Sequence, residues 1–145
     1  MTDRSERAVL NHLIETCKDA ERGFRHVAEH ATDPAVKSLF LDIASQRARF
    51  AADLLPYAQR LGGAAAHEGT AAGALHRTWI DLRSAIFRND SRAIVHEAER
   101  GETFSRGVFE NALEGILPPT AREVVEAQYA ELRKTAERLH ELEVS

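Results

Sequence analysis

One arginine stands where the chain's spacing asks for an apolar residue. In the stretch from Phe40 to Leu54, the residues Phe40, Ile43, Phe50 and Leu54 share one stripe of a helix, and Arg47 completes that stripe. A guanidinium cannot be deprotonated in a protein, and a buried charge must be paired. Arg47 therefore calls for an acidic partner on another helix. Further along, the stripe Val95, Ala98, Glu102, Ser105, Phe109, Ala112 and Ile116 is also interrupted, and Glu102 is the candidate partner. A third polar seam position is Gln128, in the run Ala121, Val125, Gln128, Leu132, Thr135, Leu139 and Leu142, with Glu131 on its flank. The expected chemistry is a buried polar network. The planar fork of Arg47 suits two-point pairing with the Glu102 carboxylate, and the Gln128 amide and Glu131 stand ready for the remaining donors. The alternative is a rim position, with the stem of Arg47 packed and its head in water.

Other side chains carry weaker signals. His26 and His30 lie four apart on one helix with Glu29 beside them, a spacing that suits adventitious Zn²⁺ but lacks a placed third ligand from elsewhere. His76 reads as a hydrogen-bonded packing residue, and His96 and His140 read as solvated surface. Cys17 falls in an apolar seam, where a thiol behaves as a small hydrophobe. No adjacent base or helix terminus lowers its pKa, so no reactive role is expected. No phosphate-binding glycine loop or nucleophile elbow is present, and neither a metal nor another cofactor is expected.

The elements that position these residues are helices. The 145 residues are rich in Ala, Glu, Arg and Leu, contain four prolines, and show no strand-length β-branched run. A first helix is expected over about Arg4–His30, with Leu10, Leu13, Cys17, Ala20, Phe24 and Val27 spaced as a packing seam. Asp33-Pro34 caps a second helix that reaches about Leu61, where Gly62 and Gly63 end it and Pro56 perturbs its last turns. A shorter helix over about Thr70–Phe87 shows two apolar edges. Leu75, Trp79, Leu82 and Ile86 form one edge, and Ile80 and Phe87 extend the other. Trp79, Ile80 and Phe87 therefore form a candidate homodimer interface, or else part of one broad internal face. Asn89-Asp90-Ser91 starts a helix running from about Arg92 to Gly115, and Thr120 caps a last one to about Leu142. The fold class is all-α: one domain spanning 1–145, a four-helix bundle with a long crossover carrying the extra short helix.

Composition excludes several functions. The net charge of −4, without a concentrated basic face, argues against nucleic-acid binding. No apolar run reaches the length of a membrane span, and a single cysteine fits a reducing compartment, so a cytoplasmic location is expected.

Three segments carry a resemblance: Leu13–Phe24, His76-Arg77-Thr78-Trp79-Ile80-Asp81-Leu82, and Glu97-Ala98-Glu99-Arg100-Gly101-Glu102. They resemble a bacterial ferritin-like four-helix-bundle family, itself classed as a domain of unknown function, over about Val9 to His140. The resemblance implies the fold and no activity. It also implies a comparison with ferritin-like di-iron sites, which take a Glu from each of two helices and Glu-x-x-His from each of the other two. In that pattern a ligand Glu stands seven residues before an aromatic. Before Phe24 this position is Cys17, and before Phe109 it is Glu102. The two Glu-x-x-His slots hold Arg47 with Phe50, and Gln128 with Glu131. The dinuclear centre is therefore expected to be lost. The functional expectation is a non-catalytic, stress-associated or protein-interaction module; the alternative is a di-metal oxidoreductase or metal-storage protein.

Overall fold

A computed structural model of the chain describes residues 2–62, 82–88 and 90–144, all helical or in short turns, with no strand among them. Four long helices account for most of these residues: α1 (Thr2–His30), α2 (Pro34–Arg60), α3 (Ser91–Glu114) and α4 (Pro119–Val144). Residues 82–87 add a short helical segment before α3. No helix among the described residues is long and apolar enough to cross a membrane.

Local chemistry explains the helix ends. Asp33 is extended, and its carboxylate accepts from the backbone N–H of Ala35 and Val36, while Pro34 fills the first helical position. Helix α2 continues through Pro56, and Gly62 follows its end at φ 119°, a left-handed conformation that favours glycine. Asp90 caps α3 by accepting from Ala93 N–H at 3.1 Å. The start of α4 differs from the expectation. Pro119 already occupies the first turn and Pro118 accepts from Arg122 N–H, so Thr120 lies inside the helix rather than at its cap. The expected stripe on α3 also ends early. Gly115 turns the chain into an extended conformation, Ile116 is exposed, and Leu117 is buried in its place.

Each long helix packs against two others: α1 against α2 and α3, and α4 against α3 and α2. The pairings Arg49–Glu131, Gln46–Thr135 and Asp42–Arg138 make α2 and α4 antiparallel. The pairings Glu110–Tyr129 and Glu99–His140 do the same for α3 and α4. It follows that α2 and α3 run in the same direction, facing each other across the centre. The long arm of an arginine on α2 can therefore reach α3 without passing through a neighbour.

The apolar interior divides into two clusters. One gathers Phe24, Leu39, Phe40, Ile43, Leu82, Ile94, Val95 and Leu139, with Phe24 and Phe40 edge to face at 5.3 Å between centroids. The other gathers Leu10, Leu13, Cys17, Phe50, Leu54, Phe109, Val125 and Leu132. Between Ala44 and Phe50 on α2 lies buried Arg47. Between Ala98 and Val108 on α3 lie buried Glu102 and Ser105, and between Leu132 and Leu139 on α4 lies Thr135. A polar layer thus separates two apolar ones.

Candidate functional site

The polar layer is built from residues that the helical period turns inward and that the apolar clusters hold from both sides. Arg47 is fully buried, and Glu102 is 2% exposed. Arg47 Nη1 donates to Glu102 Oε1 at 2.7 Å and Nη2 donates to Oε2 at 2.6 Å, a two-point pair in which both carboxylate oxygens are engaged. Arg47 Nε donates to Gln46 Oε1 at 3.2 Å, and the same oxygen lies 3.3 Å from the Thr135 hydroxyl. The pair therefore joins α2 to α3, and Gln46 continues the contact to α4.

Burial opposes the charge on Arg47, but the Glu102 carboxylate and its hydrogen bonds more than offset this, raising the Arg47 pKa above its ordinary value. Helix α1 contributes Cys17. Burial pushes its thiol up to about 12, with Arg47 acting in the opposite direction and Glu102 in the same one. Cys17 is thus a neutral thiol beside an ion pair, with none of the thiolate character that nucleophilic chemistry requires.

Two residues expected in this network lie outside the pair. Gln128 is buried, but its Nε2 donates to the Phe50 carbonyl at 3.2 Å, and its Oε1 receives no hydrogen bond. Gln46, adjacent to Arg47 on the same helix, takes the role expected of Gln128. Glu131 is not in the interior. Its side chain is 45% exposed and pairs with Arg49 at 3.1 Å and 3.2 Å on the surface between α2 and α4. Two positions along a helix separate Arg47 from Arg49 by about 200°, so the flank of the seam on which Glu131 lies meets the outer arginine and not the inner one. Gln46 and Thr135 were accessible to the same spacing argument, but a half-buried glutamine beside an arginine carries no sequence signal of its own.

Trp79 and Ile80 lie outside the described residues. Phe87 is 93% exposed, while Leu82 and Ala85 are buried in the first cluster and Ile86 packs against it. His26, Glu29 and His30 are all exposed on one face of α1, with His30 Nδ1 2.9 Å from the His26 carbonyl oxygen.

A family model described as a domain of unknown function (DUF2383) matches residues 6–115, three quarters of the chain and both partners of the ion pair. The chain belongs to this family. Within the DUF2383 match lie Cys17, Arg47 and Glu102; Gln128, Glu131 and Thr135 fall on α4 beyond it. No curated protein sequence matches the chain.

Proposed function

We propose that this DUF2383 chain is a bacterial, cytoplasmic ferritin-like four-helix bundle that works through its outer surface, as a stress-associated or protein-interaction module and not as an enzyme. The parallel course of α2 and α3 supports the ferritin-like connectivity, which needs a crossover between its second and third long helices. The observation that carries the reading is the buried Arg47–Glu102 pair.

In a ferritin-like centre the inward carboxylates bind two cations. Here both oxygens of Glu102 are taken by a guanidinium, Glu131 faces outward to Arg49, and the remaining ligand positions hold Cys17, Phe50 and Gln128. Two divalent ions beside a permanent buried cation would meet repulsion of several kcal/mol even at an effective dielectric near 20. The donor set does not fit a dinuclear centre. Exposed Phe87 is the described part of the candidate homodimer edge, and a solvated aromatic is what such an edge presents.

Elemental analysis of protein from iron- and manganese-supplemented cells, run on wild type and Glu102→Gln, tests the interior. The expected result is no iron or manganese whose retention depends on Glu102. Two equivalents per chain in the wild type, lost in the variant, would instead establish the di-metal oxidoreductase or storage reading. Sedimentation of wild type and Phe87→Ser tests the interface: a dimer that dissociates in the variant is expected, and a monomer in both removes the homodimer.

A further inference from the structure

Two histidines on the outer faces of different helices come together with two glutamates. On α3, His96 and Glu99 lie three apart, and on α4, His140 and Glu143 repeat the same His-x-x-Glu spacing. Because the helices are antiparallel, the two motifs meet head to tail. His140 Nδ1 lies 2.8 Å from Glu99 Oε1, and His96 Nδ1 lies 3.4 Å from Glu143 Oε1. Ligand atoms of Glu99, His140 and Glu143 all fall within 4.8 Å of one another, and His96, outside that group of three, adjoins it through Glu143 Oε1. A tetrahedral ion with bonds of about 2.0–2.1 Å has ligand–ligand edges of about 3.3 Å, so the two His–Glu separations need little change to become such edges.

A second observation points into the same place. Glu143 Oε2 is buried and has no hydrogen-bond partner, although Glu143 as a whole is only half-buried. A carboxylate oxygen withdrawn from water without a donor is unfavourable, and a cation relieves it. Beside it opens a pocket of about 560 Å³ lined by Asp90, Arg92, Ala93, His96 and Glu143, which gives access to the site from solvent.

We propose that His96, Glu99, His140 and Glu143 bind one divalent transition-metal ion, Zn²⁺ foremost, clamping the start of α3 to the end of α4. Two imidazoles and two carboxylates form a donor set suited to Zn²⁺ and Co²⁺, whereas Mg²⁺ and Ca²⁺ prefer oxygen alone. The two carboxylates balance the charge of the ion. Of the neighbouring cations, Arg100 is paired with Glu97 at 2.9 Å, and Arg92 shares the pocket wall with Asp90. The site stands apart from the Arg47–Glu102 layer, so it neither needs nor contradicts the reading of the interior. The exposed His26, Glu29 and His30 form the natural control, since all three sit on a single helix and join nothing.

Chelator-stripped full-length chain is titrated with Zn²⁺ by calorimetry and with Co²⁺ by visible absorption, with thermal unfolding measured alongside. The expected result is one saturable equivalent, intense d–d bands of four-coordinate Co²⁺, and a raised Tm. All three are lost in His96→Ala/His140→Ala and retained in His26→Ala/His30→Ala. Glu99→Gln, which keeps the shape of the side chain, should weaken the Co²⁺ bands at unchanged helicity. Binding that survives the first double variant, binding that disappears with the second, or no saturable binding at micromolar Zn²⁺ would overturn the proposal.

Discussion

Removing the carboxylate of Glu102 is the sharpest perturbation this interior allows. In Glu102→Ala the guanidinium of Arg47 stays fully buried, with Gln46 Oε1 as its one remaining side-chain acceptor among the described residues. Two charge-assisted hydrogen bonds of 2.7 Å and 2.6 Å disappear together. Breaking a buried pair from one side costs about 3–5 kcal/mol, because the partner cannot recover its hydration. For a domain whose total stability is about 5–15 kcal/mol, that is about a fifth of the whole or more. At about 2–4 °C per kcal/mol the loss corresponds to a fall in Tm of about 6–20 °C. The opposite truncation, Arg47→Met, should cost less and recover as the pH falls, because a stranded carboxylate can take up a proton while a guanidinium cannot lose one. Urea unfolding by circular dichroism, with the slope of the transition checked for constancy, measures both variants. A loss below about 1 kcal/mol in Glu102→Ala would show that water reaches Arg47 and would refute the reasoning.

Cys17 should make the fold sensitive to alkali. Its thiol is held near 12 in the folded chain and near 8.5 in an unfolded one, so the unfolded state loses its proton first. The stabilising contribution is intact below about pH 8.5 and falls by up to about 1.4 kcal/mol per pH unit as the pH rises towards the folded value. Between pH 8 and 10 the wild type should lose about 2 kcal/mol more than Cys17→Ala, and parallel losses in denaturant titrations would contradict this. Gln128→Met should fall within about 1 kcal/mol of wild type, since it exchanges one hydrogen bond to Phe50 for the removal of an unpartnered buried oxygen. A chemical-denaturation loss above about 2 kcal/mol would mean that the Gln128 oxygen does have a donor.

The interior was legible because charge and period disagree there. Arg47 and Glu102 interrupt apolar stripes on separate helices, and two unlike charges in seams can be matched without knowing the loops between them. Gln128 was legible as buried but not in its partner, because a side-chain amide also finds backbone carbonyls, which sequence patterns do not reveal. Glu131 escapes the seam argument because a residue on the flank of a seam turns inward or outward with a small rotation of its helix. The His-x-x-Glu pairs were visible as spacings on α3 and α4, yet nothing in either helix alone shows that the register sets 96 against 143 and 99 against 140. Register is a tertiary fact. The same holds for Ile116, whose exposure depends on the bend at Gly115 and not on the helical stripe that leads to it.

A double-mutant cycle on Arg47→Met and Glu102→Leu tests most directly whether these two residues hold the interior as one unit. Each single variant strands a partner, whereas the double variant leaves a continuous apolar interior, and such replacements are commonly neutral or stabilising. The expected coupling is about 2 kcal/mol or more, with the double variant at least as stable as the less stable single one. Additivity within about 0.5 kcal/mol would contradict the claim that the pair is buried and mutually dependent.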